Sequence, residues 1–258
     1  MNDPAVLRGL PGLLFGGDSP LSVDWGHALR NPRWMLSFLA NCRARRSEEI
    51  AAELAPDQAR EMEPGLVLPV VRAVHFPAAR HVLDPQGLVR RFHRRFTELG
   101  GTTLRARADR VAEGSGGVTV HAGGTELRAG RAVIASGAFS REVAGSGAES
   151  LPLGTERGYH LMFPGEAGRV TRPVAAPGKA ANRGRLAYIL RRGREMLGAL
   201  PDPASDWLGF RPTLPDSLPC IGLAPGKQRV IHAFGHQHLG LTLGGITGRI
   251  VADLAEGR

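Results

Sequence analysis

Arg211 stands between Gly209-Phe210 and Pro212. A guanidinium offers two parallel N–H bonds that match a carboxylate, and a following proline restricts the backbone that aims it. A structural ion pair, with Asp216 as partner, is the alternative role. Further on, Val230 to Phe234 forms an apolar, β-leaning run that predicts a buried strand. Gly235-His236-Gln237-His238-Leu239-Gly240-Leu241-Thr242 follows, and its glycines predict a tight turn. Ile246, Ile250, Val251 and Leu254 recur at helical spacing and predict a helix from Gly245 to Glu256. A strand, a glycine-rich turn and a helix aim free backbone N–H groups and a partial positive charge at whatever lies above the turn. His236 lies in that turn, where it could contact a ligand or satisfy a backbone carbonyl. His232, His236 and His238 lack the carboxylate or cysteine partners that a metal site needs at recognisable spacing. Two other places could carry chemistry. Ala132 to Ala135 reads as a strand ending in the small-residue turn Ala135-Ser136-Gly137-Ala138, and Tyr159 and His160 lie on a half-buried strand where either could line a pocket.

These residues need a scaffold, and the chain supplies recognisable pieces of one. Asp84 and Pro85 predict an N-cap and first helical residue, with Gly100 closing the helix. Leu88, Phe92, Phe96 and Leu99 share one face of it, which helical spacing assigns to the core. Strands are expected over Thr102 to Ala106 and Arg110 to Ala112, and a hairpin over Val118 to His121 and Thr125 to Arg128 across Gly123-Gly124. A second helix is expected from Arg185 to Leu200. Near the start, residues 1–31 read as loops. Asn31-Pro32 then opens a helical region with Trp34, Met35, Phe38, Leu39 and Cys42 on one stripe, and Pro56 ends it.

Composition narrows the classes. A chain of 258 residues with 42% hydrophobic content can build a sizeable core. The net charge of +9 raises nucleic acid as a partner. Against it, aromatic residues are 5% of the chain, and only Phe92 and Phe96 fall within an arginine group, so stacking platforms are lacking. The arginines read as solvated helix faces. No apolar run reaches the length of a membrane span, and no secretory pattern follows Met1. Two cysteines, Cys42 and Cys220, exclude a disulfide framework and suit a reducing compartment, so a cytoplasmic location is expected.

The ordered set Gly-x-Arg-Pro, Pro-Asp-x-x-Pro-x-Ile-Gly, strand, Gly-His-x-x-x-Gly-x-Thr and Thr-Gly helix resembles the C-terminal part of FAD-dependent amino acid oxidoreductases of the D-amino acid oxidase superfamily. Bacterial D-amino acid dehydrogenases are the closest likeness. Glu63-Pro64, Asp84-Pro85 and Glu156-Arg157-Gly158-Tyr159-His160 resemble further family segments. The likeness implies a mixed α+β and α/β fold, with part of a Rossmann-like FAD domain and an antiparallel substrate domain. It divides the chain into 1–83 (substrate or helical region), 84–145 (FAD-domain part with a β-meander), 146–206 (substrate-domain part) and 207–258 (return to the FAD domain). It implies FAD as cofactor, held by Val111, Ala135, Ser136, Gly137, Gly235, His236, Gly240, Leu241 and Thr242. An amino acid or amine, expected to be a D-amino acid, would pass a hydride to flavin, with Arg211, His236 and Tyr159 as the catalytic set and Arg211 on the substrate carboxylate.

The sequence also departs from that family. Full members begin with a Gly-x-Gly-x-x-Gly turn that binds the pyrophosphate. Neither Gly114-Ser115-Gly116-Gly117 nor Gly145-Ser146-Gly147 has that pattern. The intervals from Ile50 to Pro64 and from Pro173 to Asn182 are also short. The chain therefore matches an N-terminally truncated family member with internal deletions. Two functional readings follow: a flavoenzyme in its own right, or a non-catalytic remnant or half of a split flavoenzyme whose partner chain supplies the missing motif. Peripheral association with the inner membrane is a further expectation of the likeness.

Overall fold

The computed structural model describes residues 52–174 and 184–258. The helix expected after Asn31-Pro32 lies outside the described residues. In chain order the elements are β1 (Ala52–Leu54), α1 (Pro56–Met62), β2 (Ala73–His75), α2 (Pro85–Glu98), β3 (Ala108–Gly114), β4 (Gly117–Ala122), β5 (Thr125–Ala129), β6 (Ala132–Ile134), a 3-10 segment (Gly137–Glu142), β7 (Gly154–Met162), α3 (Arg185–Leu197), β8 (Ser205–Thr213), β9 (Cys220–Leu223), β10 (Val230–Phe234) and α4 (Gly240–Glu256). They group into two units. One takes the described residues up to Leu83 with Leu161–Ser205, and the other takes Asp84–His160 with Asp206–Arg258.

In the first unit β1 and β2 pair antiparallel, Ala52 opposite His75. Pro56 opens α1 rather than ending a helix. Proline at the first helical position loses no hydrogen bond, because that N–H is unpaired in any helix. Glu63, 3% exposed, fixes the segment beyond β7. Its carboxylate accepts from the Thr171 N–H at 2.9 and 3.0 Å and from the Thr171 hydroxyl at 2.8 Å. The Glu63-Pro64 signature thus has a packing role: a buried carboxylate persists only where such donors replace water.

The second unit holds most of the recognisable scaffold. The Asp84 side chain accepts from the Gly87 N–H at 2.8 Å and caps α2 as expected. The meander β3-β4-β5 is antiparallel, with Ala122 opposite Thr125 across Gly123 (φ 56°) and Gly124 (φ 81°). Two positive φ values make the reversal that matches strand twist, which is why glycine stands at both positions. A second sheet runs β6-β10-β9. In it β10 is parallel to β6, with Ile134 opposite His232, and antiparallel to β9. Val111, Val118, Ile134, Val230 and Phe234 from these sheets share one core with Val143, which follows the 3-10 segment. Burying such side chains contributes about 1.5–3 kcal/mol each before entropy is counted.

Three sequence expectations are corrected here. Thr102 to Ala106 forms no strand. An apolar extended run becomes a strand only when a neighbour completes its ladder. The helix expected from Gly245 begins at Gly240, because the reversal is finished by Gly235 (φ 86°) and Gln237 (φ 51°), leaving Gly240 free to be a first-turn residue. Finally, α2 buries no residue: Val89, Phe92, Phe96 and Leu99 are all exposed. Helical spacing specifies that a face is apolar, not what covers it.

Candidate functional site

Because β6 and β10 run parallel and in register, the turns that follow them leave the same edge of the sheet. In open α/β sheets, ligands bind beyond the carboxyl ends of the strands. The first turn is Ala135-Ser136-Gly137. Ala135 and Ser136 are exposed, and Gly137 has φ 58° with no atom within 4 Å of where a Cβ would stand. The second turn, Gly235 to Leu239, leads into α4, whose first turn presents Gly240, Leu241 and Thr242 at the surface. Gly235 is buried, and a Cβ there would lie 2.9 Å from Leu214 Cδ1.

The second turn also holds Arg211 in place. The Gln237 N–H donates to the Pro212 carbonyl at 3.0 Å, joining the end of β8 to the approach to α4. Phe210, the neighbour of Arg211, meets Phe139 of the 3-10 segment edge-on at 6.0 Å. Arg211 is exposed, and no acidic side chain pairs with it among the described residues. Asp216, the alternative partner, instead accepts the Leu218 N–H at 3.1 Å.

His236 lies beside this junction, with Nε2 and the Thr247 hydroxyl of α4 at 2.9 Å. Burial lowers the His236 pKa below its ordinary value, so the ring is neutral near pH 7. It ties the turn to α4 through one nitrogen. Tyr159 is half-buried on β7, where strand alternation separates it from Gly158 and His160. Val111 is 2% exposed in the core, so its side chain supports the sheets rather than facing a ligand. The structure therefore joins the segment that carries Arg211 to the Gly235–Thr242 turn and places Ala135–Gly137 at the same sheet edge, while Tyr159 lies on the face of β7 opposite His160 and the Val111 side chain is in the core. One aromatic neighbour of Arg211 escaped the sequence reading. Trp207 sits two residues before Gly209 on β8 and stacks on His160 of β7. An aromatic beside a glycine in a strand was the available signal.

The Gly145–Ser150 segment is occupied by its own chain. The Glu149 carboxylate accepts from the Gly145 N–H and, at 3.3 Å, from the Ser146 hydroxyl. Burial raises the Glu149 pKa, but N–H groups of Glu149, Gly145 and Gly147 and the Ser146 hydroxyl outweigh it, and the net pKa is lowered. This glycine-containing loop, which lacks the dinucleotide-binding pattern, thus already holds an anion of its own chain. A folded-state pKa below the unfolded one gives stability that is present above the unfolded pKa and is lost as pH falls through the folded value. Glu149→Gln is expected to destabilise the protein by about 1 kcal/mol at pH 7. The gap to wild type should close in urea titrations below about pH 4.5. An equal gap at pH 3 and pH 7 would contradict the assignment.

Can these residues hold FAD? Open glycine backbone at Gly137, exposed small residues at Ala135 and Ser136, and the free N–H groups of the first turn of α4 fit an anionic, planar ring edge. The fit is to the flavin end of the cofactor. Among the described residues, no Gly-x-Gly-x-x-Gly turn offers a pyrophosphate cradle.

Comparison with known proteins agrees with this geometry. The family model for FAD dependent oxidoreductases matches residues 26–182 and 171–254. A D-amino-acid oxidase of Bradyrhizobium diazoefficiens is 34% identical over 236 residues, covering 80% of this chain and 56% of that protein. A D-amino acid dehydrogenase of Paramagnetospirillum magneticum is 38% identical over 90 residues, covering 34% of this chain and 21% of the relative. The crystal structure of glycine oxidase from Geobacillus kaustophilus superposes with a TM-score of 0.69 at 22% identity, over 90% of this chain and 68% of that one. The chain thus spans only part of the length of the curated relatives it matches.

Proposed function

The chain belongs to the FAD dependent oxidoreductase family, and on that premise we propose that it takes part in flavin-dependent dehydrogenation of an amino acid, a D-amino acid before others, to its imine. The observation that carries this reading is Arg211: a guanidinium with no acidic partner among the described residues, tied through Pro212 and Gln237 to the turn expected to face flavin. Flavin, when bound, accepts the hydride; the chain's residues orient substrate and stabilise charge. Arg211 holds the carboxylate in a two-bond fork. The N–H groups at the start of α4 would stabilise the negative charge that develops on flavin when it is reduced. Neutral His236 keeps that turn anchored to Thr247.

A second reading also has support. The apolar face of α2 is exposed, and among the described residues β6 is an edge strand, with Val133 43% exposed. Both suit a second polypeptide that supplies the pyrophosphate-binding motif and completes the FAD site. For peripheral membrane association there is no comparable observation; among the described residues no helix is long and apolar enough to cross a membrane.

One experiment tests both readings. The visible spectrum is recorded after incubation with FAD and desalting, and again after anaerobic addition of D-alanine. Retained flavin absorbance that bleaches with D-alanine supports a self-sufficient enzyme. Protein that retains no FAD alone, but does so once a lysate fraction is added, supports the completed-site reading. Retained flavin that no amino acid reduces would overturn the proposed substrate class.

A further inference from the structure

The two strands that carry Arg211 and His160 bring a second group to the same spot. A Cβ on Gly154 would stand 3.6 Å from the Thr213 carbonyl, and the Ala204 N–H donates to the Met162 carbonyl at 2.9 Å, so β7 and β8 run antiparallel. His160 of β7 and Trp207 of β8 meet across this pair. The imidazole and indole rings stack at 3.6 Å with 3° between their planes. The indole leans over the adjacent glycine: a Cβ on Gly209 would lie 2.9 Å from Trp207 Cζ3. On β7, Gly158 is buried, and a Cβ there would lie 3.3 Å from both Arg211 Nη2 and His160 Nε2. The glycines thus leave room for larger side chains on this face: the indole lies over Gly209, and the Arg211 and His160 nitrogens come together over Gly158.

Both nitrogen-bearing edges lack a polar partner among the described residues. Among the described residues, neither the Arg211 guanidinium nor a His160 ring nitrogen has a hydrogen-bond or acidic partner. A fixed cation next to a potential N–H donor, with no acid between them, is an arrangement that an anion completes. We propose that His160 is the second anchor of the substrate carboxylate, its Nε2–H donating to the carboxylate that Arg211 holds, with Trp207 fixing the plane of the ring. The proposal rests on the reading of Arg211 as carboxylate ligand and adds a positioning residue to it.

The electrostatics agree. Burial, and then the positive charge of Arg211, lower the His160 pKa below its ordinary value. Arg211 on β8 is the charge acting on the ring. By alternation Glu156 shares this face, beyond Gly158, while Arg157, Tyr159 and Asp206 lie on the other. A carboxylate placed between the two edges cancels the field of Arg211 and favours imidazolium. By linkage, carboxylate affinity then rises as pH falls through the His160 pKa, because protonation adds a second positive charge to the site.

The test is an NMR pH titration of the imidazole signals, with and without sodium acetate at constant ionic strength. His160→Asn assigns the resonance. In wild type the His160 pKa should lie below 6.5 without acetate and rise by about one unit at saturation. Arg211→Ala should raise the acetate-free pKa and abolish the response. His160→Ala should weaken acetate binding about tenfold and flatten its pH dependence, while His160→Asn, which keeps a donor, should weaken it less. If acetate binding depends on Arg211 but leaves the His160 pKa unmoved, and His160→Ala binds as wild type, the proposal is overturned and the Arg211 reading stands. If acetate binding is indifferent to Arg211, both fall.

Discussion

Arg211→Ala is expected to weaken a carboxylate ligand by about 10²–10³-fold, the effect of losing two charge-assisted hydrogen bonds. Folding stability should stay within about 0.5 kcal/mol of wild type, as for exposed side chains without a specific role. The contrast follows from where the side chain sits. It is exposed, it pairs with no acid among the described residues, and the bond that locks this corner runs between backbone atoms of Gln237 and Pro212. Removing the guanidinium leaves that bond in place. Arg211→Lys should recover little, because a point charge on a flexible stem cannot reproduce a planar fork. The measurements are acetate affinity by calorimetry, urea unfolding, and, for flavin-loaded protein, the D-alanine concentration that half-saturates anaerobic bleaching. A variant that binds acetate normally but unfolds at much lower urea would show that Arg211 is a structural residue.

Arg211 stands out as a candidate in the sequence, and its neighbours do not. The arginine announces itself by local order, a glycine two residues before and a proline after, and the strand Val230–Phe234 by an unbroken apolar run. Asp84-Pro85 and Gly123-Gly124 are equally local, and the structure uses each as capping and turn chemistry dictate. What sequence order cannot encode is register. His160 and Trp207 meet because β7 and β8 align a histidine with a tryptophan across a long interval of chain, and nothing near either residue specifies that alignment.

The same distinction separates the remaining differences. Phe92, Phe96 and Leu99 have the correct spacing for a core-facing helix, yet they are exposed, because cover is a property of what lies opposite. Gly145-Ser146-Gly147 lacks the pyrophosphate-binding pattern, yet its backbone does hold an anion. Its anion is Glu149, two residues further on, and that contact depends on how the loop closes. Glycine patterns identify where backbone can approach a negative charge, but not whose charge it is.

Gly235→Ala is expected to cost about 2–4 kcal/mol, combining the strain of a positive φ for an L side chain with overpacking against a buried leucine. The residue has φ 86°, and its new Cβ would stand 2.9 Å from Leu214 Cδ1 and 3.4 Å from the Cys220 nitrogen. Leu214 is 9% exposed in the shared core, so its side chain cannot swing into solvent. The two contributions separate in a double-mutant cycle. Leu214→Ala alone should cost about 2–3 kcal/mol as a cavity. Combined with Gly235→Ala it should cost less than the sum by about 1–2 kcal/mol, since the overlap disappears while the backbone strain remains. Urea unfolding of the four proteins supplies the numbers. Strict additivity would mean that Leu214 is not the obstacle and that strain alone selects glycine. A neutral Gly235→Ala would mean that the turn after β10 is not held at this positive φ. The reversal that delivers Gln237 to the Pro212 carbonyl would then need another cause, and with it the placement of Arg211 beside the start of α4.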